Sequence, residues 1–158
     1  MESDTDTNDY LELVINAIII HEGWFPANPK TGYIGSRSWR NNNPGNLRSS
    51  KFQNGATGSY ATFESVKVGR KALRWDLTQK IKGNTRTRLN GESTIEDLIK
   101  VYAPWKDNNN IEAYISSIEH NTKLSRETKL KDLLLKREED KADDNPDPNT
   151  DGSLQCRI

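Results

Sequence analysis

The sequence predicts a mainly α fold of the α+β kind: a helical body, a small loop-and-β wing and a disordered C-terminal tail. Three observations predict it. Apolar residues recur at helical spacing in four or five stretches, most of them opened by a side chain of the kind that caps helix N-termini. Between Trp24 and Phe63 that period gives way to glycines, prolines and asparagines interleaved with short aromatic pieces. From Asp143 onward the chain is polar and proline-interrupted, a composition with too little apolar surface to fold. At 158 residues there is room for one domain with one real core. Residues 1–8 are expected to be a flexible N-terminus, 9–140 the domain and 141–158 the tail.

In chain order, the first helix is expected from about Asp9 to Glu22, with Leu11, Val14, Ile15, Ile18 and Ile19 at helical spacing, Asn8 or Thr7 as cap and Gly23 as stop. The near-complete apolarity of Ala17 to Ile20 makes it the central helix, buried on most sides. The wing is expected to hold small strands or a hairpin around Tyr60-Ala61-Thr62-Phe63, anchored by its aromatic residues. Ser65 caps a helix to about Lys82, with Val66, Val68, Ala72, Leu73, Leu77 and Ile81 inward and Gly83 behind it. Ser93-Thr94-Ile95-Glu96 reads as a capping box opening Ile95 to Tyr102, which Ala103-Pro104-Trp105 ends. The asparagines at 108–110 cap Ile111 to His120, and Ser125 is read as the cap of a last, charged helix to about Lys136.

Composition excludes several classes. The apolar stretch Leu11 to Ile20 is too short to span a bilayer, so no membrane span is expected. The first residues are acidic where a secretory signal would be basic, which predicts a chain that begins soluble in a cytoplasm. Cys156 is the one cysteine, so no intramolecular disulfide or cysteine-based metal site is available. His21 and His120 lack metal-ligand spacing, and His21 reads as a core or supporting residue. Asp147 to Gly152 opens like a calcium loop, but the twelfth position is Ile158 rather than Glu and no helix follows. No metal and no cofactor are expected.

Formal neutrality hides a segregation of charge. Residues 1–22 carry six acids and no Lys or Arg, residues 23–91 thirteen bases against two acids, and residues 92–158 ten bases against fifteen acids. A basic middle segment implies an anionic polymer as partner, either nucleic acid or a bacterial wall with its carboxylated peptides and teichoic or lipid phosphates. The plainer reading is a solvated face paired with the acids at either end.

One acid stands apart. Glu22 closes the hydrophobic helix in His21-Glu22-Gly23-Trp24, and no Asp or Glu follows until Glu64. Glycoside cleavage needs a carboxylic acid that still carries its proton near neutral pH, and a means of stabilising an oxocarbenium-like transition state. A helix C-terminus and apolar cover from Ile19, Trp24 and Phe25 both favour an uncharged carboxyl. With no second acid nearby in sequence, the cation is left for the substrate itself to stabilise. Lytic transglycosylases work in this way, with one glutamate as acid and then base. For Asn41 to Asn46 the alternative reading is a turn of residues that tolerate left-handed backbone and cap their neighbours.

The segment Arg40-Asn41-Asn42-Asn43-Pro44-Gly45-Asn46-Leu47, preceded by Glu-Gly-aromatic and Ser-Arg and followed by Gly55-Ala56-Thr57-Gly58 and Tyr60-Ala61-Thr62-Phe63, resembles lysozyme-like proteins with an Arg-Asn-Asn-Asn-Pro-Gly-Asn signature. These occur in phage particles and phage-derived bacterial loci. The likeness runs through Gly69 and Leu73 to Tyr102-Ala103-Pro104 and the turn before Tyr114, about residues 12–120. It implies a goose-type or transglycosylase-like lysozyme fold with a muramyl-binding cleft between body and wing. It also implies Glu22 as catalytic acid, and Asn43, Gly45, Asn46, Arg48, Tyr60 and Tyr114 as substrate-binding residues. The implied partner is a peptidoglycan glycan strand, with other virion proteins as further partners, and the implied place of action is the bacterial wall, reached from a virion or the host cytoplasm. Two rivals stand beside it: an inactive virion structural or wall-binding protein of the same fold, and a nucleic-acid binder, ranked last because its bases are dispersed among loops with no recognisable motif.

Overall fold

The computed structural model describes residues 8–103 and 110–137. The expected N-terminal arm, Trp105, the tail and its calcium-like sequence lie outside the described residues, apart from Asn8. The described chain is mainly helical, with one small antiparallel sheet. Its elements are α1 (Tyr10–Glu22), α2 (Arg37–Arg40), β1 (Gly55–Thr57), β2 (Tyr60–Thr62), α3 (Val66–Ile81), α4 (Ile95–Tyr102) and α5 (Ile111–Thr122), followed by a 3-10 turn (Leu130–Leu134). Among the described residues no helix is long and apolar enough to cross a membrane.

Helix α1 is the hub. Leu11, Val14, Ile15 and Ile18 are fully buried, and α1 packs most extensively on α5. Its cap is Asp9, one residue later than expected, whose carboxylate accepts from the Glu12 amide and also holds Arg74. Gly23 stops it in left-handed backbone, donating to the Ile19 and Ile20 carbonyls. Burial on most sides ends before the C-terminus, since Ile20 is 60% exposed.

Helices α3, α4 and α5 close the core with Leu73, Leu77, Ile95, Leu98, Ile99, Ile115 and Ile118. Ser65 and Asn110 cap α3 and α5 as expected. The capping box of α4 sits one residue on, formed by Thr94 and Asp97 rather than Ser93 and Glu96. Val66, expected inward, lies 46% exposed in the first turn of α3.

The last expected helix does not form. Ser125 receives the Glu127 amide in a local turn, and the backbone beyond it is taken by neighbours. Ile95 donates to Thr128, Leu130 to Ser93, and Tyr10 to Leu135, while Lys129 and Lys136 make isolated bridges with Thr94 and Asp9. Leu130 and Leu133 still reach the core, through the short 3-10 turn. Tertiary backbone pairing here outweighs a weak local helix preference.

The wing is small because its residues are committed to turns. Gly55 pairs with Thr62 and Thr57 with Tyr60 in a short hairpin, and the Asn-rich loop 41–47 lies against it. Phe63 donates to the Asn41 carbonyl, Ala61 to the Leu47 carbonyl, and the Asn42 amide to the Phe63 carbonyl. The loop also meets α3 at a point where a side chain has no room. A Cβ on Gly69 would lie 2.0 Å from the Asn42 carbonyl oxygen and 2.9 Å from Pro44 Cδ. Gly69→Ala therefore forces loop and helix apart and is expected to destabilise the fold by about 2 kcal/mol, within the usual overpacking range. Denaturant unfolding measures it, and an unchanged midpoint would show that this contact is not tight.

Candidate active site

Glu22 is half-buried at the last position of α1. Its two carboxylate oxygens are held from two directions. Asn46 Nδ2 donates to Oε1 at 3.0 Å, and the Tyr114 hydroxyl donates to Oε2 at 2.8 Å. One helix terminus, the Asn-rich loop and α5 thus converge on one carboxyl group. Among the described residues, no Lys or Arg forms an ion pair with it.

Each donor is positioned by its own support. Asn46 has left-handed backbone, φ 51°, which asparagine tolerates better than most residues. The turn that carries it is built by Asn43, which is fully buried. Asn43 Nδ2 donates to the Leu47 and Ala61 carbonyls, each at 2.9 Å, and its Oδ1 accepts from the Leu47 amide at 2.9 Å. Gly45 is buried beneath α3 and α4, where a Cβ would lie 2.7 Å from the Tyr102 hydroxyl and 2.8 Å from Leu73. Tyr102 donates its hydroxyl to the Gly45 carbonyl. The Ser38 hydroxyl, donating to the Gly23 carbonyl at 2.9 Å, ties the start of the loop region to the end of α1.

Tyr114 stands in an aromatic stack. His21 lies over it with ring centroids 3.8 Å apart, and Tyr102 meets it edge-on at 6.5 Å. Burial raises the pKa of both tyrosines well above the ordinary phenol value, and the nearby Glu22 charge adds to this, so each remains a proton donor at neutral pH. The His21 pKa is lowered, because covering its ring face costs hydration that the attraction of Glu22 does not restore. His21 is neutral at physiological pH. It was expected in the core or behind the site, yet its outer edge is exposed.

Of the residues implied by resemblance, the structure gathers Glu22, Asn46 and Tyr114. It corrects the roles of two others, Asn43 and Gly45, and of Tyr114 itself. Asn43 is sealed from solvent with its amide fully engaged, Gly45 is covered by Tyr102 and Leu73, and Tyr114 is 1% exposed, so these build and orient the site rather than line a ligand surface. Arg48 and Tyr60 form a second cluster with Arg37, whose guanidinium lies 3.8 Å from the Tyr60 ring centroid against 5.0 Å for Arg48. Phe25, expected as cover for Glu22, is 58% exposed. Tyr102 and Ser38 were not foreseen. Tyr102 entered the sequence reading only as a helix end and as part of the resemblance, because its partner Gly45 lies far away in sequence. No group of three or more His, Cys, Asp or Glu able to hold a metal occurs among the described residues.

The environment of His21 gives a test independent of any activity. With only two histidines in the chain, NMR titration is expected to show His21 below the ordinary histidine value. Glu22→Gln removes a charge that favours the imidazolium and is expected to lower the midpoint further. Tyr114→Leu uncovers the ring and is expected to raise it. The unfolded chain takes up this proton at higher pH than the folded one, so its contribution to stability is lost as pH falls from the ordinary value toward the folded one. A midpoint unmoved by Glu22→Gln would place the two side chains apart. Compared with known proteins, the chain matches no family model, no curated protein and no solved structure.

Proposed function

We propose that this chain is a peptidoglycan-cleaving enzyme of lysozyme-like fold that breaks the MurNAc-GlcNAc β-1,4 bond through Glu22, as a lytic transglycosylase rather than a hydrolase. The observation that carries the reading is one half-buried carboxyl held by two neutral partners, a carboxamide and a phenol. Both partners serve either protonation state. Asn46 presents its amide N–H to the carboxylate and, turned over, its carbonyl oxygen to the acid; the Tyr114 hydroxyl donates or accepts by rotation. A lysine or arginine in either place would serve the carboxylate alone. A group that must be acid first and base second needs partners of this kind.

In the first step Glu22 passes its proton to the glycosidic oxygen as the C1–O bond breaks, and the substrate's own acetamido oxygen bonds to C1 in place of a second protein carboxylate. In the second step the Glu22 carboxylate takes the proton of the muramyl 6-hydroxyl. That oxygen displaces the acetamido oxygen from C1, giving a 1,6-anhydro end and restoring the acid. The absence of any Asp or Glu between Gly23 and Phe63 agrees with substrate assistance. The resemblance adds a phage or prophage origin, with the protein reaching the wall from a virion or from the host cytoplasm.

Glu22→Gln keeps the shape of the side chain and removes its proton chemistry. It is expected to lower wall clearing by about 10²- to 10⁴-fold with the circular dichroism spectrum unchanged; retained clearing would remove Glu22 from this role. Mass spectrometry of wild-type digests is expected to find 1,6-anhydromuramyl ends. Reducing ends would make the enzyme a hydrolase, and wall binding without soluble fragments would make it a binding protein of the same fold.

A further inference from the structure

A second surface feature lies along α3, on the side turned away from the core. A groove of about 500 Å³ runs there, and Glu22, Asn46 and Tyr114 are not among its lining residues. Its cations are Lys67, Arg70, Lys71, Arg74 and Lys82, with Trp75 and the acid Glu12 completing most of the wall. Helical spacing spreads the row from Lys67 to Lys82 over about 22 Å, longer than any single small anion.

These cations are not equivalent. Arg74 is held by Asp9 and Glu12 at 2.6 and 2.7 Å, and Arg70 by Glu12 at 2.6 Å and Asn16 at 2.8 Å. Their two guanidinium groups are balanced by the two carboxylates of Asp9 and Glu12, so part of the basic segment is paired with acids near the N-terminus. Among the described residues, Lys67, Lys71 and Lys82 have no carboxylate partner. Lys51 adds a further charge beside the groove, its ammonium 4.5 Å from the Trp75 ring centroid.

We propose that this groove binds an anionic phosphodiester polymer of the bacterial wall, of the polyol-phosphate kind. The naming of the wall rests on the function proposed above; the choice of ligand chemistry rests on the groove. The arginines, whose flat forks suit bidentate carboxylates, are already occupied, and the charges left over are ammonium groups, which act as point charges. Point charges strung along a helix match a flexible chain of repeated single negative charges. Trp75, 38% exposed, and the lysine stems supply an apolar floor for polyol carbons. A groove for single-stranded nucleic acid carries successive aromatic platforms for its bases. Here Trp75 is the one aromatic among the lining residues, and Lys51 sits against its ring. Such a site would hold the enzyme on the wall while Glu22 acts on the glycan.

Calorimetric titration of the full chain with purified poly(glycerol phosphate) tests this, with oligo-dT as comparison. Binding is expected to weaken as salt rises. K67Q/K71Q/K82Q is expected to weaken it about a hundredfold. An equal loss of charge elsewhere, K30Q/K123Q/K136Q, is expected to leave it unchanged, and circular dichroism checks the fold of both variants. No binding at low salt, equal losses in the two triple variants, or tighter binding of oligo-dT would each overturn the proposal. Glu22→Gln separates the two readings, because it is expected to bind the polymer like wild type while losing cleavage. Polymer binding by a wild-type chain that never cleaves wall would sink the proposed activity and leave the groove intact. Cleavage of walls stripped of phosphodiester polymer, by a chain that ignores the free polymer, would do the reverse.

Discussion

The side-chain amide of Asn43, sealed beneath the wing, is the constraint on which the site geometry depends. It closes the turn on itself through Leu47 and fastens it to the hairpin through Ala61. An amide at this depth is tolerated only because its hydrogens and its oxygen all have partners; an apolar side chain of similar volume would leave the Ala61 carbonyl and the Leu47 N–H without the partner that Asn43 gives them, each at a cost of about 1–3 kcal/mol. With the turn closed, Asn46 takes the left-handed conformation that lets its amide reach Glu22. Gly45 and Gly69 then let the turn lie directly against Tyr102, Leu73 and α3. The loop is a rigid shelf, and the working contact is made by one residue at its edge.

Helices α3, α4 and α5 were legible in the sequence because period and cap agree locally: Ser65, Thr94 and Asn110 each begin an apolar repeat that ends near a breaker or a turn. The segment after Ser125 has similar local signals but different surroundings, and its backbone pairs with Ser93 to Ile95 and with Asn8 and Tyr10. Nothing within ten residues of Ser125 reports that competition. The same limit applies at the site. Glu22 was legible as an acid at an unusual helix position. The division of labour between Asn43 and Asn46 was not, since it is decided by burial under residues of the hairpin. Tyr102 and Gly45 meet across 57 positions, a separation that no local pattern reveals.

The charge segregation resolves into two parts. Asp9 and Glu12 clamp Arg70 and Arg74, joining the start of α1 to the middle of α3, and Asp76 holds Lys80, while Lys67, Lys71 and Lys82 have no carboxylate partner among the described residues. Helix α3 therefore has three duties on three sides. It packs Leu73 and Leu77 into the core, passes Gly69 beneath the Asn-rich turn and carries the basic groove outward. The partners of the Glu22 carboxyl and the residues that line the basic groove are thus different side chains on one scaffold, so substitutions can address the two separately.

The central claim is that Asn46 and Tyr114 act through a single group, the carboxyl of Glu22. Wall-solubilisation rates of Asn46→Ala, Tyr114→Phe and the double variant test it most directly. If both donors serve one carboxyl, losing either already releases it, and the double variant is predicted to be little slower than the slower single one. A double variant whose loss equals the full product of the two single losses would mean that the donors act on different groups, and the convergence on Glu22 would not be the basis of activity.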